Sequence, residues 1–319
     1  MAGTDRGVIT LAFGVTKYIE MAKTLARSLE LHSPHLPRAI VTDCTDDGEL
    51  LELFDVVIAY DQSLGSNVRQ KLFLDRYSPY SKTLFVDSDS IVSSDIDFIF
   101  RELDGVDFTV PGEDFLVMGQ KDPFFDVDIV LKHYGFASIP NFNGGLYYFE
   151  KGQISTAVFG SARDILDQRH ELGLFDFRGD GPADEPIMAI AMKLHGREMF
   201  QDHGTMMRTP IGLRGALDID VISGKNTFQK HSKVVSPAVI HFAAEWNEHP
   251  IYYREAIRLK SITADNGNGN NSLNWFQTKF GYQIAWARFW GKRVLKNPRH
   301  IKRLVLKPWA MIHRFRKRQ

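Results

Sequence analysis

The chain has 319 residues, 44% hydrophobic and 12% aromatic, enough for one large α/β domain or two modest ones with ample core. No apolar run reaches the roughly 18 residues of a membrane span, and the lone Cys44 excludes an internal disulfide, as expected of a reducing compartment. The net charge of zero hides a division: residues 266–319 hold 13 of the 39 basic residues and no acidic one, so an acidic body carries a strongly basic tail.

Residues 1–7 lack the basic start, apolar block and cleavage site of a signal peptide, so the cytoplasm is the expected location. They run into a strand-like segment, 8–13. Residues 17–31 place Ile19, Met21, Ala22, Leu25, Ala26 and Leu29 at helical spacing. Strands follow at 39–42 and 56–59, a helix at 68–77 and a fourth strand at 84–87. Repeated β-α-β units of this kind predict an α/β fold with a mostly parallel central sheet and helices on both faces. Further on, 142–149 reads as a Gly-rich turn feeding a strand, 154–170 and 184–194 as helices, and 234–235 with 238–242 as the last strand. The Gly- and Asn-rich segment 263–272 reads as a flexible linker between a body, 1–262, and a basic, aromatic, helical tail, 273–319.

The run Thr83-Leu84-Phe85-Val86 ends in Asp87-Ser88-Asp89. Side chains two apart on an extended segment point the same way, so both carboxylates are expected to converge at the strand's carboxyl end, where open α/β sheets bind ligands. Paired oxygens there suit a hard divalent cation, and such a cation suits a diphosphate. Asp95/Asp97, Asp126/Asp128 and Asp218/Asp220 repeat the spacing. The first reads as a helix start and the second as a polar loop. Asp218/Asp220 is the closest rival, but a Gly- and Arg-containing loop precedes it.

Together with Val68-Arg69-Gln70-Lys71-Leu72-Phe73 ahead of that strand, Asn143-Gly144-Gly145-Leu146, Asp184-Glu185 at a helix start and Val239-Ile240-His241-Phe242, these residues carry a resemblance. From about Val8 to Trp246 the chain resembles nucleotide-sugar glycosyltransferases of the GT-A fold, closest to the retaining family 8 enzymes such as glycogenin and lipopolysaccharide galactosyl- and glucosyltransferases. The resemblance implies a Rossmann-like catalytic domain and a cation, Mn²⁺ or Mg²⁺, held by Asp87, Asp89 and His241 as a Lewis acid for the departing nucleoside diphosphate. It implies a donor, UDP-linked, contacted by Ala12, Phe13, Tyr18, Lys71, Asn143 and Gly144. Asp184 and Glu185 would stand beside the sugar, Glu185 or a neighbour stabilising positive charge at the anomeric carbon, or deprotonating the acceptor hydroxyl in an inverting enzyme. The acceptor would be a glycan or lipid-linked oligosaccharide.

Two departures stand out. The family has Gln where Glu185 matches, and it follows the histidine with Gly and Lys-Pro-Trp, whereas His241 precedes Phe-Ala-Ala-Glu-Trp and the Lys307-Pro308-Trp309 of this chain lies far along the tail. Without context His241 is a core histidine, and Glu185-Pro186 an ordinary helix opening. A rival enzyme class, haloacid-dehalogenase-like phosphohydrolases, would use Asp87/Asp89 with Asp180/Asp184, and a non-enzymatic nucleotide- or glycan-binding protein is the third reading. For the tail, the helical spacing of Trp286, Phe289, Trp290, Val294 and Leu295 favours peripheral binding to an anionic membrane at its inner face over nucleic acid. Packing on the protein itself is the plain alternative.

Overall fold

The computed structural model describes residues 5–65, 67–176, 181–264 and 271–296. Asp180, residues 265–270 of the expected linker and residues 297–319 of the tail, with Lys307-Pro308-Trp309, lie outside the described residues.

The first elements alternate as the periodicity predicts: β1 (Arg6–Leu11), α1 (Thr16–His32), β2 (Arg38–Thr42), α2 (Gly48–Leu53) and β3 (Val56–Ala59). Two 3₁₀ segments, Gln62–Leu64 and Asn67–Phe73, lead into α3 (Leu74–Tyr77), β4 (Lys82–Val86), β5 (Ser90–Val92) and α4 (Asp97–Glu102). Then come β6 (Phe108–Thr109), β7 (Pro111–Leu116), α5 (Val127–Tyr134), β8 (Ile139–Phe142), β9 (Leu146–Glu150), α6 (Gln153–Asp167) and α7 (Asp184–Leu194). Short strands close this part: β10 (Phe200–Gln201), β11 (Met207–Arg208), β12 (Leu213–Arg214), β13 (Phe228–Lys230), β14 (Lys233–Val235) and β15 (Val239–His241).

The central sheet has the order β3-β2-β1-β4-β9-β6. Strands β3, β2, β1 and β4 are parallel, and β9 runs antiparallel to both β4 and β6. Strand alternation divides the core into two layers. Ile9, Phe85, Tyr147 and Phe149 pack with Val158 and Phe159 of α6 and Ile187 and Met188 of α7. Val8, Leu84, Val86, Leu146 and Tyr148 pack with Leu25 and Leu29 of α1 and Ile99 and Phe100 of α4. The expected helices on both faces are therefore present. Full burial of such a side chain contributes roughly 1.5–3 kcal/mol, so the strand interiors hold the fold and the strand ends are left to charged groups.

Two expectations change in detail. The segment 68–77 is helical but opens as a 3₁₀ turn, Asn67–Phe73, before α3. The buried Gln70 amide donates to the carbonyls of Asp61 and Gly65 at 2.9 and 2.6 Å, which ties that turn to the preceding loop. Residues 234–235 and 238–242 do not form one strand. Val234 and Val235 belong to the β12-β13-β14 sheet, whereas β15 lies between β11 and β5. Pro237 stands between them and has no N–H to continue a ladder.

The chain divides into two compact units between Ala243 and Ala244. In the second, a 3₁₀ turn (Ala244–Glu248) precedes α8 (Pro250–Ala264) and α9 (Asn271–Lys296), and the two helices pack together. Phe289 is buried, its ring edge-on to His249 at 4.8 Å, and the Arg293 guanidinium lies 4.4 Å from the Phe289 ring and 5.4 Å from that of Trp246. Arg293 pairs with Glu245, and Lys292 with Glu248 at 2.6 Å. Phe289 of the predicted aromatic stripe thus packs within its own unit, because a cation–aromatic cluster is better satisfied there than in water. Among the described residues, the large apolar side chains that remain exposed on α9 are Ile284 and Leu295, and they share one helical face with Arg288.

Candidate active site

The chain order of the parallel strands runs outward from β1 to β3 and then returns to place β4 on the other side of β1. Such a reversal opens a crevice at the carboxyl ends of the two strands flanking it. Ile9 pairs with Phe85, so Leu11 comes level with Asp87 and Phe13 lies just beyond. Asp87 and Asp89 do converge, but not through strand alternation. The chain leaves β4 at Val86, and Ser90 N donates to Asp87 O at 3.0 Å, so the two acids sit in a tight turn between β4 and β5. The turn is pinned from both sides, by Asp87 N donating to Gly145 O and Phe242 N donating to Asp89 O, each at 3.0 Å.

His241 reaches this turn because β15 pairs antiparallel with β5, His241 opposite Ser90. One atom each from Asp87, Asp89 and His241 lies within 4.8 Å of the others. His241 Nε2 is 2.9 Å from Asp89 Oδ1 and 3.6 Å from Asp87 Oδ2. Its other nitrogen, Nδ1, bonds Asn143 Oδ1, which fixes Nδ1 as the donor and turns Nε2 toward the carboxylates. Burial alone lowers the pKa of the imidazole, but Asp89 and then Asp87 outweigh it and the net shift is upward. A divalent cation held by these groups would compete with a proton for Nε2. Two hard carboxylate oxygens with one imidazole fit Mn²⁺ well and Mg²⁺ less well.

Gly144 and Gly145 are required by close approach. A Cβ on Gly145 would lie 2.2 Å from His241 Nδ1, and one on Gly144 2.6 Å from Asp184 Oδ2. This turn therefore stacks backbone directly on the histidine and on the α7 carboxylates.

Lys71 Nζ is buried at the centre of the site, 2.8 Å from Asp87 Oδ2, 3.1 Å from Asp184 Oδ2 and 3.0 Å from Gly144 O. Burial lowers the pKa of the ammonium, yet Asp184, Asp87 and Glu185 together hold it above the ordinary lysine value. Burial pushes the Asp87 carboxyl up, with Lys71 and His241 opposing. Tyr147, fully buried on β9, donates its hydroxyl to Asp184 Oδ2. Glu185 Oε1 accepts from Gly144 N at 3.2 Å, and burial, then the Asp184 charge, pushes its carboxyl up to about 7. Asp184 and Glu185 open α7, where the helix dipole favours negative charge.

Across the switch point, Ala12 is buried and Phe13 stacks on Tyr60 with centroids 4.3 Å apart. Gly14 N donates to Asp43 Oδ2 at 2.9 Å. Tyr18 is 42% exposed on the first turn of α1, and among the described residues no ring contact joins it to that stack. The structure thus gathers Lys71, Asp87, Asp89, Asn143, Gly144, Asp184, Glu185 and His241, sets Ala12 and Phe13 at the neighbouring strand end, and leaves Tyr18 outside the network. Sequence reading missed Tyr60, Asp43 and Tyr147. Asp43 directly follows β2 and could have been flagged as a strand-end acid, whereas nothing local marks Tyr60 or Tyr147. The rival Asp pairs have other partners. Asp97 binds Arg6 and Arg101, Asp126 caps α5, and Asp218 pairs with Lys225.

No protein-family model and no curated protein sequence matches this chain. Solved structures do. The bifunctional glycosyltransferase WbbM matches with a TM-score of 0.50 at 15% identity, over 80% of this chain and 49% of that one. The fold is that of GT-A glycosyltransferases. The glycosyltransferase GlyE of Streptococcus pneumoniae aligns with a TM-score of 0.42 at 18% identity, over 62% of this chain and 46% of its own. The galactosyltransferase LgtC, in complex with donor and acceptor sugar analogs, aligns with a TM-score of 0.46 at 13% identity, over 75% of this chain and 87% of its own. The chain spans about half the length of GlyE and of WbbM.

Proposed function

We propose that this chain is a metal-dependent hexosyltransferase-type glycosyltransferase that moves a sugar from a UDP-linked donor to a glycan or lipid-linked acceptor. The observation that carries it is the Asp87–Asp89–His241 cluster at the sheet's switch point, its histidine oriented by Asn143. A bound Mn²⁺ or Mg²⁺ supplies Lewis-acid stabilisation of the diphosphate leaving group. Lys71, in reach of Asp87 and Asp184, adds a fixed positive charge next to the same cluster. Ala12 and Phe13, with Tyr60 and Asp43, offer a half-apolar slot for the nucleoside, with Tyr18 at its outer margin. Glu185 faces the site from α7 and stabilises positive charge at the anomeric carbon, the role that fits retention. The phosphohydrolase alternative would pair Asp87 and Asp89 with Asp180 and Asp184, and Asp180 lies outside the described residues.

A thermal-shift screen of nucleotides and UDP-sugars tests the assignment. UDP or a UDP-sugar with MnCl₂ is expected to raise the melting temperature, since a ligand at a hundredfold excess over Kd contributes about 2.7 kcal/mol. The metal alone is expected to do less. No stabilisation by any nucleoside diphosphate with Mn²⁺ removes the assignment.

For the second unit we propose peripheral association with an anionic membrane at the cytoplasmic face, through the exposed Ile284, Arg288 and Leu295 of α9. No described helix is long and apolar enough to cross a membrane. Truncation after Thr263 should lower co-sedimentation with phosphatidylserine-containing liposomes severalfold. Equal binding with and without that segment counts against the role.

A further inference from the structure

Beside the candidate active site lies a second charged group of residues contributed by β7, β11 and the β13–β14 hairpin. Arg208 is buried, its guanidinium 2.6 Å from Asp202 Oδ2 and 2.7 Å from Glu113 Oε1. Asp202 is fully engaged, accepting also from the backbone amides of Gly204, Thr205, Met206 and Met207. Glu113 is shared with Lys233, whose Nζ is 3.4 Å from Oε2. Lys230 is different. Its ammonium bonds only Thr209, at 3.0 Å to Oγ1 and 3.3 Å to the carbonyl, and among the described residues no carboxylate forms an ion pair with it. An ammonium has three donors, so at least one remains for a ligand. Three cations stand against two carboxylates here, and both carboxylates are occupied.

The placement of Lys230 is built. His231, the next residue, adopts a left-handed φ of 51° in the turn to β14. Its amide donates to Gly212 O at 2.8 Å, and its ring lies where a Cβ on Gly212 would come within 2.3 Å. The hairpin is therefore clamped at the residue beside the lysine. Burial, then Arg208, pushes the Lys230 amine down to about 8, with Glu113 opposing.

The group also lies next to the chemistry. Arg208 pairs with Ile240, so Thr209, the anchor of Lys230, comes level with His241. Gly112 pairs with Phe142, so Glu113 lies beside the strand that runs directly into Asn143 and Gly144. The proposed nucleoside slot at the end of β1 adjoins β4, before the Asp87–Asp89 turn, whereas β15 and β11 pair onward from β5, after it, which leaves this group for the second substrate. We infer that the acceptor is a sugar bearing a negative charge, a carboxylate or a phosphate ester, and that Lys230 receives that charge beside Thr209. This rests on the glycosyltransferase reading and adds the acceptor's charge to it.

Calorimetric titration of the full chain, loaded with UDP and MnCl₂, with glucose, glucuronate and glucose 6-phosphate at equal ionic strength tests it. At least one charged sugar should bind about tenfold more tightly than glucose, the scale of one charge-assisted hydrogen bond. Tighter binding of glucuronate assigns a carboxylate, and tighter binding of glucose 6-phosphate a phosphate. Lys230→Met should erase the preference and Lys230→Arg should keep it, both with UDP binding unchanged. If Lys230→Met does not fold by circular dichroism, Lys230→Gln reads the same loss. Equal affinities for the three sugars, no detectable binding of any, or a preference that survives loss of the lysine charge overturns the inference. UDP binding in the same runs scores the glycosyltransferase reading separately, since a chain that binds UDP with Mn²⁺ but ignores sugar charge loses only the acceptor inference.

Discussion

Asp89→Ala is expected to reduce Mn²⁺-dependent hydrolysis of the preferred UDP-sugar by at least about a thousandfold, since Lewis-acid stabilisation is worth several kcal/mol of barrier. The substitution removes one of the two oxygens facing His241 Nε2, and with it the larger part of the field that raises the imidazole pKa. The fold should survive. The backbone carbonyl of residue 89 still accepts from Phe242 N, and the turn bond from Ser90 N to Asp87 O is untouched. Removing the carboxylate relieves repulsion on Asp87 but also takes away the 2.9 Å partner of His241 Nε2, so the metal-free variant should melt at or somewhat below the wild-type temperature. What disappears is the melting-temperature increment produced by Mn²⁺ with UDP. Mn²⁺-dependent turnover that persists in a folded Asp89→Ala protein would falsify the site.

Glu185→Gln is expected to lower turnover at pH 8 by roughly a hundredfold or more, because the amide keeps the shape and the Gly144 contact but not the charge that steadies the anomeric centre. The wild-type rate should climb through about pH 7 as Glu185 ionises, and the variant should lack that rise. Stability supplies an independent reading. The carboxyl holds its proton up to about 7 in the folded chain against 4.5 as the ordinary value, so between those values the native state binds the extra proton. Stability therefore falls as pH rises across that window and is lowest above it. Denaturant melts of the metal-free proteins should show Glu185→Gln more stable than wild type at pH 8, with the gap closing toward pH 4.5. A pH-independent difference would place the effect of the residue in packing.

Lys71 links the two experiments. It lies within 3.1 Å of both Asp87 and Asp184, and its charge opposes the rise in the Asp87 and Glu185 pKa values. The metal cluster and the α7 carboxylates are thus one electrostatic unit, and a charge change in either half should be felt in the other.

Much of this architecture was legible in the chain. The helical spacing from Ile19 to Leu29 predicts α1 to within a residue or two, and the onset of α7 at Asp184 follows from acids and a proline where a helix start tolerates them. The pairing of Asp87 with Asp89 was also foreseeable, because an apolar run ending in two acids is a local pattern. Its cause was not. The acids meet through a turn closed by Ser90 and braced by Gly145 and Phe242, and two of those three contacts come from residues far along the chain. The stripe on α9 was legible only in part for a related reason: helical spacing identifies a face, but that Phe289 is covered depends on where Trp246 and His249 lie.

Sequence by itself determined the alternation of strands and helices and the acidic body and basic end, and a pattern a few residues long singled out Asp87 and Asp89, whereas His241, Asp184 and Glu185 were singled out by the family resemblance. Only the tertiary structure decided that Asn143 turns His241 toward the acids, that Lys71 ties Asp184 to Asp87 while Tyr147 bonds Asp184, that Phe13 stacks on Tyr60, and that Lys230 comes to rest on Thr209. The physical reason is range. Periodicity and capping act within a turn or two of chain, whereas these contacts join residues 16 to 113 positions apart, and their energies exist only after folding has removed water from between them.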